Sequence, residues 1–413
     1  MTSTPTLEAM RARDLADPLR AMRDAFDLPP GEIYLDGNSL GALPRATPDR
    51  MARAVREEWG KGLIRSWNDA GWIGAPARVG AKIARIIGAS AHEVVVADST
   101  SVNLYKLLTA AVIAQPGRRV ILTEPGNFPT DLYIAQGVAA TLADCEVRIV
   151  PRDEIAAAID EQVAVVMLTH VHYQSGCKFD MAAVTRAAHT KGALMLWDLS
   201  HSAGAVPVDL GAARADLAVG CGYKYLNGGP GAPAYLYVAE RHQETMQSPL
   251  SGWMGHAAPF DFTDEYAPGS GIRRFLCGTP SILAIAALEQ GVDLFLSVDR
   301  DALFAKAQTL CSTFISLVED RCSGLGLGIV TPADPAVRGS HVALRHDHAW
   351  PVMQALIDRG VIGDFRAPDV LRLGFTPLYT SHADVWLAVD TLSDILTTRS
   401  WDRDAYHVRA EVT

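Results

Sequence analysis

Between residues 93 and 221, short apolar runs rich in β-branched residues take turns with stretches of helical spacing. "EVVVAD" (93–98), "RRVILTE" (118–124), "VAVVMLTHV" (163–171), "ALMLWD" (193–198) and "ADLAVGC" (215–221) read as strands. "VNLYKLLTAAVIA" (102–114), "PTDLYIAQGVAATL" (129–142) and "DMAAVTRAAHTKG" (180–192) read as helices, the last ending at Gly192. Val, Ile and Leu without polar alternation suit strands covered on both faces. Strand–helix–strand order with short connections gives right-handed crossovers and a mostly parallel central sheet, an α/β fold. In open sheets of this kind a ligand binds beyond the C-terminal ends of the strands. That rule gathers Asp98 to Ser101, Glu124 to Asp131, Thr169 to His172, Asp198 to His201 and Lys224 along one edge.

From about residue 281 the texture changes. Two long helical patterns, "SILAIAALEQGVDLF" and "RDALFAKAQTLCSTFISLVEDRC", precede short strands around "SHVALRH" and "VLRLGF", and a last helix follows at about 382–397. A chain of 413 residues exceeds one ordinary core. The expected division is a large ligand-binding domain over 46–290 and a smaller α+β C-terminal domain over 291–413. An N-terminal segment, 1–45, is expected to pack with the small domain.

Apolar residues at 49% and charged residues at 20% suit a globular enzyme rather than a disordered chain. A net charge of −10 argues against nucleic-acid or acidic-membrane partners. No apolar stretch approaches a membrane span, and "MTSTPTLEAMRARD" has no signal-peptide core. Six scattered cysteines without CxxC spacing fit a reduced, cytoplasmic protein and no metal site.

The chemistry gathers around Lys224 in "GCGYKYLNGGPG" (220–231). Most other lysines (Lys61, Lys82, Lys106, Lys178, Lys191, Lys306) lie on amphipathic helical patterns or in polar loops, where solvation explains them. Lys224 ends a buried strand on the ligand edge, where desolvation lowers a lysine's pKa and frees the amine to form a Schiff base. Ser99, Thr100 and Ser101 open a helix, as an ordinary N-cap or as a phosphate cradle. Asp198 ends an apolar strand, either to cap the next turn or to face a protonated ring nitrogen. Phe128 is a loop aromatic that covers a flat heterocycle or makes a satellite contact. Asp131 is a second carboxylate near such a ring or a first-turn helix residue. Together these describe a pyridoxal phosphate site. There is no GxxxxGK[ST], which excludes a P-loop, and no GxGxxG follows the first strand.

These residues sit in segments that resemble the kynureninases, a family of fold-type I pyridoxal phosphate enzymes, over nearly the whole chain. The matching stretches include "YLDGNSLG" (34–41), "SWNDAGW" (66–72), "NFPTDLYIA" (127–135), "WDLSHSAGAVPVDL" (197–210), "GYKYLNGGPGAPAYLYV" (222–238), "PLSGWMGH" (249–256), "RRFLCGTPSIL" (273–283) and "RLGFTPLY" (372–379). The resemblance implies the fold-type I architecture, pyridoxal 5′-phosphate as cofactor, and hydrolysis of L-kynurenine, with 3-hydroxykynurenine as a further substrate. It makes Lys224 the cofactor lysine and proton shuttle, Asp198 the partner of the ring nitrogen with Asp131 beside it, and Phe128 the stacked aromatic. Thr100, Ser101, Thr169, His201 and Tyr223 become cofactor contacts, and Tyr223 also a catalytic acid. Trp253 and Thr279 match positions that reach the phosphate from a neighbouring subunit, which implies a homodimer with shared sites. Arg372 matches the arginine that clamps the substrate α-carboxylate, and Ser39, Trp67 and Gly278 lie where the substrate's aromatic end sits. Trp67, Gly278 and Thr279 resemble the bacterial, kynurenine-preferring form; His172 in "THVHYQSG" departs from it.

Rival readings within the fold are a cysteine desulfurase, which needs a mobile nucleophilic cysteine that neither Cys277 nor Cys322 resembles, and an aminotransferase. A scaffold without activity would have lost Lys224, Asp198 or Arg372, and all three are present.

Overall fold

The computed structural model describes residues 5–409. Its main feature is a seven-stranded sheet of β1 (Val94–Val96), β2 (Val120–Thr123), β3 (Glu146–Ile149), β4 (Val163–Thr169), β5 (Leu194–Asp198), β6 (Leu217–Gly220) and β7 (Tyr235–Val238), in spatial order β1-β7-β6-β5-β4-β2-β3. Only β7 runs against its neighbours. The expected helices form at Thr100–Ile113, Pro129–Thr141 and Met181–Thr190.

The unbroken apolar runs have the predicted cause. Along β4, Val163, Val166 and Leu168 enter the core on one face, while Ala164, Val165 and Met167 pack on the other against Leu104, Leu107 and Leu108 of the first of those helices. Two strands of this sheet escaped the sequence reading. β3 is the sheet edge, with no residue of its "EVRI" fully buried, so it lacks the apolar run that marked the others. β7 is the antiparallel return strand, buried throughout, in a stretch without a following helical pattern.

A second, antiparallel sheet follows in β8 (Gly328–Ile329), β9 (His341–Arg345), β10 (Asp364–Arg366) and β11 (Val370–Gly374), ordered β8-β9-β11-β10. The helices Arg300–Arg321, Ala349–Asp358 and His382–Thr398 share a core with it, built on Leu310, Phe314, Leu356, Leu371 and Leu392. Phe295, Leu303 and Phe304 still belong to the core of the large sheet.

The N-terminal segment holds to both sheets. Phe26 enters the large core and Leu35 the smaller one, while Ile33–Tyr34 pairs in parallel with Val361–Ile362. Asp14 accepts the backbone N–H groups of His382 at 2.7 Å and Ala383 at 3.0 Å, occupying free donors at a helix start. Residues 1–4 and 410–413, the ends of the expected first and last divisions, lie outside the described residues.

Candidate active site

Strand register brings the ligand edge together. Thr169 ends β4 directly opposite Asp198, the last residue of β5, and Asp198 pairs with Val219 of β6. Lys224 lies four residues beyond β6, buried at 8% exposure, with Nζ 3.1 Å from His201 Nε2 and 5.5 Å from the centroid of the Phe128 ring. Burial holds the Lys224 amine below the ordinary lysine pKa. Burial likewise pushes His201 well below its usual value, with the Lys224 charge acting the same way. A neutral His201 therefore faces Lys224, and its Nδ1 is buried without a partner.

Asp198 and Asp131 form a buried pair. Asp198 Oδ1 accepts the N–H of Ser200 at 2.8 Å and its hydroxyl at 2.6 Å. Burial raises its pKa against the pull of those bonds. Asp131 is raised further, by burial first and by the facing Asp198 second. The Thr169 hydroxyl lies 3.1 Å from Asp131 Oδ2 and 2.5 Å from Asn127 Oδ1; Asp131 Oδ1 has no partner. Burial disfavours the charged form of both carboxyls, and at Asp131 the charge of Asp198 adds to it. A cationic ring N–H set against them supplies what they lack, so the donor set fits a pyridinium nitrogen.

Phe128 caps the turn into the helix Pro129–Thr141 and meets Tyr173 edge-on at 5.2 Å. His172, the departure noted in the sequence, braces that turn. Its Nε2 lies 2.7 Å from the Gly126 carbonyl while Nδ1 accepts the Ser175 N–H at 3.2 Å, which fixes the neutral tautomer with the proton on Nε2. Thr100 and Ser101 begin the helix Thr100–Ile113, and Ser99 is its N-cap, its hydroxyl accepting from the Val102 N–H at 3.3 Å. Tyr223 is half-buried, and burial raises its phenol above the usual value. Its carbonyl accepts the Gly41 N–H at 2.8 Å. A Cβ at Gly41 would lie 2.3 Å from the Lys224 carbonyl, so only glycine allows this approach.

Arg372 stands on β11 opposite Asp364 of β10 and forms a bidentate pair with it. Ser39 joins this arginine cluster, accepting from Arg372 Nη2 at 2.8 Å. Trp67, Trp253, Gly278 and Thr279 stand apart. Among the described residues none shares a hydrogen bond or ring contact with the Lys224 cluster; Trp67 packs on Trp72, and Trp253 on Phe260. Trp253 is 38% exposed, and Gly278 and Thr279 are exposed.

Solvation does not explain all the other lysines. Lys106 is 0% exposed, pairs with Asp98 and donates to the Phe275 carbonyl at 2.8 Å. Asp98 is held at φ 48°, just before the helix start. Lys306 is buried against Asp17 at 2.6 Å. For Lys106 a signal was present: its helix is apolar nearly all round, and such a helix is buried together with its lysine. Asp364, Arg366 and Asp36 were also missed, since no local pattern marks them.

A family model described as the kynureninase C-terminal domain matches residues 303–392, and one described as the DegT/DnrJ/EryC1/StrS aminotransferase family matches 76–213. The sequence is 52% identical over 415 residues to a kynureninase of Burkholderia mallei, covering 99% of this chain and 100% of that protein. It is 54% identical over 395 residues to a kynureninase of Deinococcus radiodurans, covering 94% and 96%. Among solved structures it is similar to a cysteine desulfurase of Thermococcus onnurineus, with TM-score 0.78, 18% identity and coverage of 91% and 98%. A cysteine desulfurase of Escherichia coli gives TM-score 0.76 at 20% identity, covering 92% and 98%. At these identities the likeness to the desulfurases shows the fold alone.

Proposed function

The chain belongs to the kynureninase family, and from that premise we propose that the Lys224 cluster is its catalytic centre. The enzyme hydrolyses L-kynurenine to anthranilate and L-alanine with pyridoxal 5′-phosphate, in tryptophan degradation. The observation that carries the site assignment is a desolvated amine, 3.1 Å from a neutral histidine, beside a carboxylate pair with an unpartnered oxygen.

When bound, the cofactor supplies an aldehyde for amines and a protonated ring that accepts electrons released at the substrate's Cα. The Lys224 amine, whose pKa burial lowers, would be the nucleophile that holds the cofactor and the base for the substrate's Cα proton. Asp198, with Asp131 behind it and Thr169 bonded to Asp131, would keep the ring nitrogen protonated. Phe128, 5.5 Å from Lys224 Nζ, would cover the ring, and His201 orients Lys224. Thr100, Ser101 and Tyr223 would hold the phosphate at the helix N-terminus. Tyr223, whose phenol burial holds above its usual pKa, would supply a proton to the carbon that becomes the methyl group of alanine. Arg372 takes the α-carboxylate with Ser39 bonded beside it, not at the aromatic end where the sequence put that serine, while Trp67 and Gly278 line the aromatic end.

We further propose a homodimer, with Trp253 and Thr279 completing the partner's site. Both are exposed, and Trp59, Ile64, Phe260 and Phe262 leave large apolar side chains uncovered at 56–79% exposure. No helix among the described residues is long and apolar enough to cross a membrane, and we assign the protein to the cytoplasm. The large domain over 46–290, the small one over 291–413 and the N-terminal segment belong to the same proposal, as does turnover of 3-hydroxykynurenine.

Adding L-kynurenine to the holoenzyme should release anthranilate fluorescence, and borohydride should fix the cofactor to the peptide that carries Lys224. A label on another lysine overturns the assignment. Mixing Lys224→Ala with Thr279→Ala subunits should restore activity through one intact shared site; no recovery on mixing overturns the sharing.

A further inference from the structure

The arginine cluster has more positive charge and more free donors than Arg372 alone provides. Arg372 Nε donates to Asp364 Oδ1 at 2.8 Å, and Nη2 donates to Asp364 Oδ2 and, at 2.8 Å, to Ser39 Oγ. Nη1 donates to the Tyr173 carbonyl at 2.6 Å. Four of the five N–H groups of the fork are committed inside the protein by these bonds. What is left makes one bond to an incoming carboxylate, not the two-point grip that guanidinium geometry allows.

Arg366 flanks Asp364 on the same cluster. Its Nη2 donates to Asp364 Oδ2 at 2.6 Å and to Ser39 Oγ at 3.2 Å. Its Nε is buried without a partner, and Nη1 donates to no protein group among the described residues. With the side chain 35% exposed, Nη1 is left within reach of a ligand. Asp36 lies in the same cluster, where burial and then Asp364 push its pKa up to about 8, so it keeps its proton at neutral pH. Two arginines against one ionised Asp364 leave a single positive charge, the complement of a monocarboxylate.

The cluster abuts the catalytic segment from two sides. Ser39 is two residues before Gly41, whose N–H bonds the Tyr223 carbonyl, and Tyr173, whose carbonyl holds Arg372, packs on Phe128. We propose that Arg366 is a substrate-binding residue that grips the α-carboxylate of kynurenine together with Arg372. Asp364 is the shared counter-ion that holds the two guanidinium groups side by side. The proposal rests on the activity assigned above and adds a residue to it.

The test uses holoenzyme and two readouts, kynurenine turnover and equilibrium binding of L-alanine followed by cofactor absorbance. Arg366→Gln should raise the KM for kynurenine and the Kd for alanine by about 10- to 100-fold, as expected for lost charge-assisted bonds. The value of kcat should fall less, and cofactor affinity should stay put. Arg366→Lys should recover part of the loss, and it carries the test alone if Arg366→Gln does not fold. A carboxylate-free amine analogue of kynurenine should bind the variants and the wild type alike. Unchanged alanine binding in both variants, or equal weakening of the carboxylate-free analogue, overturns the assignment. If the wild type neither cleaves kynurenine nor binds alanine, the activity reading falls and takes this one with it. If it does both and the variants match it, only Arg366 is wrong.

Discussion

Two aspartates on neighbouring strands of the large sheet are almost equally buried, at 2% and 3% exposure, and have opposite characters. Asp216 sits just before β6. Its Oδ1 accepts from Arg241 at 2.6 Å and His242 at 2.7 Å, and its Oδ2 from His189 at 2.7 Å and the Met195 N–H at 2.8 Å. Burial alone would raise its pKa, but these donors win and hold the carboxyl well below the usual range. Asp198, at the far end of β5, is raised, and its neighbour Asp131 keeps an oxygen with no partner. A buried polar group with every bond filled holds a fold together. One left short in a closed site is set for a ligand.

The severest test of that contrast is at Lys224. Lys224→Ala should abolish anthranilate release, by about 10⁴-fold or more, while the cofactor-free protein melts at or above the wild-type temperature, since a desolvated amine has been removed. An undiminished rate breaks the contrast at its centre.

The two aspartates should then separate cleanly. Asp198→Asn should lower kcat on the order of 10²- to 10³-fold with little change in the stability of the cofactor-free protein. Asp216→Asn should reduce stability in urea by about 3 kcal/mol and leave kcat of the folded fraction near wild type. A swapped outcome would mean that bond saturation does not sort the two roles.

Acid and base titrations sharpen the point, because the signs differ. The depressed pKa of Asp216 means that the unfolded chain binds the proton more readily. Its contribution is present above the ordinary carboxylate range and is lost as pH falls, so Asp216→Asn should flatten the acid limb of stability. Asp36 is raised from 3.8 to about 8, by burial and then by Asp364. Here the folded state holds the proton, so the contribution is full below the ordinary value and is lost as pH rises towards 8. Asp36→Asn should flatten that neutral limb; an unchanged profile would show that Asp36 is ionised. The smallest effect is expected at Ser99. Its hydroxyl is already engaged as a cap, so Ser99→Ala should cost about 1 kcal/mol of stability and leave cofactor affinity nearly unchanged by absorbance titration.

The residues expected on the ligand edge did not all depend on the same kind of information. Asp198, Thr169 and Lys224 were legible because each follows an apolar run, and a parallel sheet delivers every strand end to one side. Asp364 and Arg366 were not, although they touch Ser39 and Arg372. Their meeting depends on the β10–β11 register and on a turn more than 320 residues away in the sequence. The edge strand β3 was missed for a local reason, because Glu146 and Arg148 interrupt its apolar pattern. Lys106 was read as solvated because helical spacing was weighed without asking whether any face of its helix was polar.

By itself the sequence determined the layered α/β plan and which polar side chains stand at the strand ends, because apolar periodicity and side-chain type are properties of short segments. The tertiary structure alone decided which charges are paired. It bonded Asp216 on every side, left Asp131 Oδ1 without a bond, and bound Arg372 to Asp364 while leaving donors of Arg366 free. Pairing is a matter of distance and desolvation between segments far apart in the chain, and no local pattern carries it.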